Sequence, residues 1–273
     1  MNITVGIIGL GFVGSAIMKS LIHKGYIVDH DLFVYDKYKD GGINTIGGLF
    51  HVDIVFIALP TLYDTDKQTY DITAIEKTLE ILNNALFKGL VVIKSTMEPL
   101  TMNNLYELYN LDIVHNPEFL TARTAFEDFH NQKHIVIGVP NKCNQFKVDL
   151  VEKFYKSNYP DAQISVCTSN ESEAMKLFLN NFYAVKVQMF TEFYLLCQKL
   201  NINYDNVREL MLKNGWINPM HTIIPGPDGK ISYGGMCFPK DTQALLSVMK
   251  KLEVPHLVLE STIKERDLLR HFC

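Results

Sequence analysis

The sequence has no apolar run of the roughly 18 residues that a membrane-spanning helix needs. Its longest, Val52–Pro60, is strand-sized and contains Asp53. It has no Lys or Arg before Lys19, so the positive start of a secretory signal is missing and a cytoplasmic location is expected. It has no C-x-x-C, and its five cysteines (Cys143, Cys167, Cys197, Cys237, Cys273) are odd in number and widely spaced. That argues against a disulfide framework and a zinc site, and no metal is expected. There is no excess of positive charge. A net charge of −4 disfavours a chain-wide basic surface, so neither nucleic acid nor membrane is expected as a partner. Internal repeats and low-complexity tracts are also absent.

What remains is an ordinary globular composition, 47% hydrophobic and 21% charged over 273 residues, enough for one large or two ordinary domains. Strand-like and helix-like segments alternate through the first half. Ile3–Ile8, Leu32–Tyr35, Val52–Leu59, Leu90–Ile93, Asp112–Val114, His134–Val139 and Gln163–Cys167 read as strands. Phe12–His23, Ile72–Asn84, Pro99–Tyr109 and Cys143–Tyr155 read as helices. Such alternation predicts an α/β fold with a doubly wound, mostly parallel sheet.

Beyond residue 168 no strand is predicted. Asn170–Leu200 is unbroken by Gly or Pro, about 31 residues or ~46 Å of helix. Thr168 with Glu171, and Asn170 with Glu173, are capping signals at its start. Helices over Tyr204–Asn214, Asp241–Leu252 and Pro255–His271 flank a Gly- and Pro-rich loop, Gly215–Gly235. The expected division is a dinucleotide-binding domain over 1–168, then the long connecting helix and an all-helical domain over 169–273.

Gly9-Leu10-Gly11-Phe12-Val13-Gly14 follows a predicted strand directly and opens a predicted helix, the context in which G-x-G-x-x-G cradles a pyrophosphate. Gly9 permits the tight turn, Gly11 the approach of pyrophosphate, and Gly14 close helix–strand packing. Asp36 ends the second strand 22 residues after Gly14. A carboxylate there accepts from the adenosine ribose and repels a 2′-phosphate, so NAD is expected rather than NADP, although Lys37 and Lys39 stand nearby.

Lys176 and Asn180 share a face of the long helix, a spacing that alone describes a solvated face. Cys237 lies in Gly234-Gly235-Met236-Cys237-Phe238-Pro239-Lys240-Asp241, just before a predicted helix with Lys240 and Asp241 nearby. Helix N-termini and cations favour the thiolate, which makes Cys237 a candidate nucleophile.

Together these segments resemble the UDP-glucose/GDP-mannose dehydrogenase family. Further matches are Lys94-Ser95-Thr96 and Asn116-Pro117-Glu118-Phe119-Leu120. The resemblance implies a Rossmann-like first domain and a four-electron oxidation, by two NAD, of a nucleotide sugar's C6 alcohol to a carboxylate, with UDP-glucose the first candidate substrate. It implies Cys237 as nucleophile, Lys176 as base or charge partner of an oxyanion, and Asn180 as neutral donor. Asp241 and Thr96 would hold a water shared with Lys176, and Glu118 would act as base in thioester hydrolysis. For Thr96 an N-cap role before Pro99 stays open. Gly9, Gly11, Phe12, Val13, Gly14, Asp36, Thr61, Thr96 and Lys240 would serve the cofactor, Lys240 alternatively the local charge balance. Phe119, Leu120, Lys176, Asn180, Tyr233 and Gly234 would serve the substrate. A homodimer through the long helix is also implied, with Phe178, Phe182, Phe190 and Phe193 providing apolar surface for packing and for a partner.

Some features depart from the family pattern. A second glutamate is replaced by Ala122, Thr61-Leu62 stands for Thr-Pro, and the segment before Cys237 lacks the usual phosphate-binding arginine, leaving His221 or Lys230 as substitutes. Members usually carry a third, nucleotide-closing domain, and two domains fill this length, so a short form is expected. The alternatives are a two-electron β-hydroxyacid dehydrogenase, a non-catalytic NAD-binding homologue, and the same chemistry on GDP-mannose or an N-acetylated UDP sugar.

Overall fold

The computed structural model describes residues 3–271, so Cys273 lies outside the described residues. The chain opens with β1 (Val5–Ile8), α1 (Phe12–His23), β2 (Leu32–Tyr35) and β3 (Ile54–Ile57). A short hairpin follows, β4 (Leu62–Asp64) and β5 (Thr69–Asp71), then α2 (Thr73–Asn84), β6 (Leu90–Ile93), α3 (Thr101–Leu108) and β7 (Asp112–His115). Next come α4 (Ala125–His130), β8 (His134–Val139), α5 (Gln145–Asn158) and β9 (Gln163–Thr168).

Seven strands form one sheet in the order β2-β1-β3-β6-β7-β8-β9. All its pairings are parallel except β7 with β8, which meet antiparallel at His115 and Gly138. The inner strands β1, β3 and β6 are wholly buried, nearly continuous apolar runs because both faces are covered. Ile7, Phe56 and Val92 pack with Ile17 and Leu21 of α1 and Phe154 and Tyr155 of α5. Their neighbours Ile8, Val55, Ile57, Val91 and Ile93 face the other way, onto Leu79 and Leu82 of α2 and Met102 and Leu105 of α3. β1 lies between β2 and β3, so the strand order reverses there. A crevice at the carboxyl end of β1 is where such sheets bind ligands.

The second half is helical: α6 (Ser169–Leu200, 32 residues), α7 (Tyr204–Lys213), α8 (Phe238–Lys251) and α9 (Leu257–His271). Ala184, Val187, Phe190, Tyr204, Ile224 and Tyr233 form a separate core, with Phe193 packed against it. By compactness the chain groups into two units, Met1–Leu62 with Tyr70–Lys176, and Tyr63–Thr69 with Leu177–Cys273.

Several expectations are corrected. α3 starts at Thr101 rather than Pro99, because Leu100 adopts a left-handed φ of 81° that no helix contains. α8 starts at Phe238 rather than Asp241, because Pro239 fits the first turn, where its missing N–H costs nothing. The Thr168–Glu171 capping pair forms: Thr168 donates N–H (2.9 Å) and Oγ1–H (2.7 Å) to Glu171 Oε2, and Glu171 N–H donates back to Thr168 Oγ1 (3.3 Å). The Asn170–Glu173 pair does not. Asn170 Oδ1 accepts from Asn103 Nδ2 (2.9 Å), and buried Glu173 caps α3 by accepting from the N–H groups of Leu100 (3.0 Å) and Met102 (2.7 Å).

Candidate active site

In the first unit the glycine loop has the shape its residues dictate. Gly9 takes φ 90°, and a Cβ there would meet the Ala58 carbonyl oxygen at 2.6 Å. A Cβ on Gly14 would lie 1.8 Å from the Gly9 carbonyl oxygen, so only glycine lets α1 approach β1 this closely. Around Gly11, the N-cap of α1, a Cβ would meet nothing within 4 Å. The first turn of α1 has no side-chain cap and no acid, and Phe12 beside it is exposed. Unmet N–H groups, open space at Gly11 and the positive helix end fit a dinucleotide pyrophosphate.

Asp36 accepts from the N–H of Leu10 (2.7 Å), Tyr38 (2.9 Å) and Lys39 (2.9 Å). Burial pushes its carboxyl up, but these three backbone donors and the Lys39 charge outweigh that, and it is held below the usual range. Lys39 Nζ lies across the loop, donating to Leu10 O (2.8 Å) and Ser15 Oγ (3.2 Å). Thr61, leaving β3, donates its hydroxyl to Thr96 O (3.0 Å), leaving β6. Leu100 is the N-cap of α3 and Glu173 supplies the capping oxygens, so Thr96 is not an N-cap.

Lys176 and Asn180, one turn apart on α6, are both buried, so they do not form a solvated face. In the first unit Lys176 Nζ stands 3.5 Å from Glu118 Oε1 and 5.5 Å from the centre of the Phe119 ring. Glu118 Oε2 accepts from Leu120 N–H (2.5 Å), which curls residues 118–120 tightly, while Phe119 stacks on His134. Beneath lies Lys94, buried, donating to Asn116 Oδ1 (2.7 Å). Burial pushes Lys94 down to about 7, with Glu118 opposing the shift and Lys176 adding to it. His115 is pushed to about 3 by burial and is neutral. Since Ser95 O (3.2 Å) can only accept, Nε2 carries the proton and Nδ1 accepts from Ser172 Oγ (2.8 Å).

In the second unit Cys237 is the exposed N-cap of α8, and its carbonyl accepts from Asp241 N–H (3.0 Å). A thiol at a helix N-terminus is favoured as thiolate. Asp241 is fully buried. Its Oδ2 accepts from Asn180 Nδ2 (2.6 Å) and its Oδ1 from Lys240 Nζ (2.5 Å), while its carbonyl accepts from Asn181 Nδ2 (3.0 Å). Tyr233 and Gly234 are backed by α9. Arg266 Nε donates to Tyr233 O (3.4 Å), Arg270 bonds Ser232 O (2.7 Å) and Asp228 (2.6 Å), and a Cβ on Gly234 would sit 2.7 Å from Arg270. His221 lies among the Tyr183 and Phe238 rings, and burial drives it toward the neutral form, with Lys186 adding. A neutral imidazole is a poor substitute for a phosphate-binding arginine. Among the described residues no cluster could hold a metal, and no helix is long and apolar enough to cross a membrane.

Lys94, Arg266 and Arg270 acquire their places only in the fold. Lys94 stands in the Lys94-Ser95-Thr96 match and directly follows an apolar strand, but neither feature tells that it is buried against Asn116; for the arginines the one sequence signal is their i, i+4 spacing on the last helix.

A doubly wound sheet with a glycine loop on α1 and an ionised Asp36 after β2 defines an NAD-binding dehydrogenase domain. The chain belongs to the UDP-glucose/GDP-mannose dehydrogenase family: that family's NAD-binding domain matches residues 42–158 and its central domain residues 170–266. It is 28% identical over 224 residues to the UDP-glucose 6-dehydrogenase of Campylobacter jejuni, covering 82% of this chain and 55% of that one. To the UDP-glucose 6-dehydrogenase of Rickettsia prowazekii it is 31% identical over 227 residues, covering 79% and 49%. The chain thus spans about half the length of these curated relatives. In fold it is similar to a UDP-glucose dehydrogenase from Pyrobaculum islandicum, with a TM-score of 0.83 and 22% identity, covering 98% of this chain and 68% of that one. It is also similar to a 3-hydroxyisobutyrate dehydrogenase from Mycobacterium tuberculosis, with a TM-score of 0.75 and 15% identity, covering 100% and 94%.

Proposed function

We propose that the chain oxidises the C6 alcohol of a nucleotide sugar to the carboxylate, UDP-glucose being the first candidate. NAD, held by the Gly9–Gly14 loop and Asp36, would supply the hydride acceptor for each of the two oxidations. In the first, Lys176 takes the alcohol proton or stabilises the oxyanion, with Asn180 as neutral donor. The Cys237 thiolate then adds to the aldehyde carbon, giving a thiohemiacetal that loses a second hydride and becomes a thioester. Glu118 deprotonates the water that breaks the C–S bond and returns the thiolate. The balance is one alcohol, two NAD+ and one water to one carboxylate, two NADH and three protons.

The observation that carries this reading is Cys237: an exposed thiol heading α8 whose next turn holds a buried Asp241 bonded to Asn180. A second reading, two-electron oxidation of a β-hydroxyacid, takes its support from the fold match that extends over 94% of a 3-hydroxyisobutyrate dehydrogenase. It has no use for the thiol. The deciding measurement is NADH formed per sugar across UDP- and GDP-sugars, including N-acetylated ones. Two NADH per sugar, with Cys237→Ser losing carboxylate formation, is expected. One NADH per substrate with an active Cys237→Ser protein favours the second reading. NAD binding by calorimetry without any NADH would make the chain a binding module. The reading includes a homodimer through α6, supported by Phe178 and Phe182, which stand 54% and 64% exposed on that helix.

A further inference from the structure

Lys94 is a buried charged group of the first unit that the proposed reaction leaves without a task. It directly follows β6, is fully buried, and lies 5.6 Å from the centre of the Phe129 ring. Its Nζ donates to Asn116 Oδ1, which also accepts from the Tyr155 hydroxyl of α5, while Asn116 Nδ2 donates to Val136 O of β8 (2.6 Å) and Asn116 N–H to Ile93 O (2.8 Å). Asn116 is therefore pinned from β6, β8 and α5 together, and Glu118 follows two residues later. The other titratable groups facing Lys94 are Glu118, Lys176 on α6, neutral His115 on β7 and the hydroxyl of Tyr155.

We propose that Lys94 is a positioning residue for the Glu118–Lys176 pair, fixing the 116–120 turn through Asn116 and dividing the Glu118 charge with Lys176. A buried region holding two lysines and one carboxylate has a proton too many when both lysines are charged. When Lys94 gives up its proton, Glu118 answers to Lys176 alone and the ion pair tightens. The proton state of Lys94 thereby sets how firmly Glu118 and Lys176 hold each other during turnover. This deepens the reading above and rests on it for its catalytic meaning.

The test has two arms, both on the whole chain. The first follows the side-chain resonance of Lys94 through a pH titration of protein carrying isotope-labelled lysine. A midpoint near 7 is expected, moving to lower pH in Glu118→Gln and to higher pH in Lys176→Met. A midpoint that ignores both substitutions overturns the proposal. The second arm measures NADH formation against pH. Lys94→Met is expected to lower kcat on the order of tenfold to a hundredfold, leave KM for NAD unchanged, and erase the inflection near 7. Tyr155→Phe removes the other donor to Asn116 without altering charge, and should keep that inflection. A folded Lys94→Met protein with the wild-type profile, or loss of the inflection in Tyr155→Phe as well, overturns the proposal. If Lys94→Met fails to fold, the first arm decides. If the wild type makes no NADH from any nucleotide sugar, the functional reading fails, while the titration still decides whether Lys94 is coupled to Glu118 and Lys176.

Discussion

Single atoms decide most of what the glycine loop can do. Gly14→Ala would drive a Cβ to 1.8 Å from the Gly9 carbonyl oxygen, forcing α1 away from β1. The expected cost is about 3 kcal/mol in urea unfolding, at the upper end for overpacking. Gly11→Ala meets nothing within 4 Å and should cost only about 1 kcal/mol as an N-cap change, yet weaken NAD binding by calorimetry because its methyl fills the approach to α1. Equal stability losses in the two variants would contradict this division of labour. At this scale the loop is legible in the sequence because the glycine spacing between a strand and a helix is local, although only Gly14 meets its steric limit inside the motif, Gly9 meeting Ala58 and Gly11 nothing within 4 Å. Asp36 is legible for the same reason, as a local strand end. Lys94 and Glu173 are not. Their chemistry comes from burial and from partners more than twenty residues away, Asn116 for the one and the start of α3 for the other.

Between residue and fold, α3 depends on α6 to begin. It has no acid in its first turn and no side-chain cap of its own, and Glu173 supplies both oxygens from elsewhere in the chain. Burial raises Glu173 to about 7, against the pull of those two N–H donors. The folded state therefore holds this proton more tightly than the unfolded state, where the carboxyl titrates near 4.5. Its contribution to stability is full below about 4.5 and is lost as pH rises through about 7. Compared with Glu173→Gln, the wild type should lose relative stability across that window in thermal melts, and a parallel pH dependence in both proteins would refute the assignment. Most elements are readable from periodicity alone: α1, β2, β6 and β8 fall at their expected bounds. The β4–β5 hairpin escaped because its strands are three residues long and polar, and α4 because six residues hold too few turns to show a period. The antiparallel entry of β8 is a matter of pairing, which no strand declares in its own sequence.

For the whole molecule, the proposed self-association would draw on the apolar exposure of α6. Phe190 belongs to the second unit's core and Phe193 packs against it, so exposed Phe178 and Phe182 are the pair that a proposed partner would cover. Light scattering should give twice the 31.2 kDa chain mass, falling to the monomer in a Phe178→Glu, Phe182→Glu double variant. A wild-type monomer at working concentration would remove the dimer from the proposal. The hairpin has a different consequence. After Leu62 the chain passes to the second unit for Tyr63–Thr69, returns at Tyr70, and passes over again after Lys176. The Tyr63 hydroxyl bonds to Ser247 Oγ (2.6 Å), 184 residues further along. The order of synthesis is thus not the order of assembly. During translation the hairpin waits for α8, and a gene cut after residue 176 would leave seven residues of the second unit encoded on the first fragment.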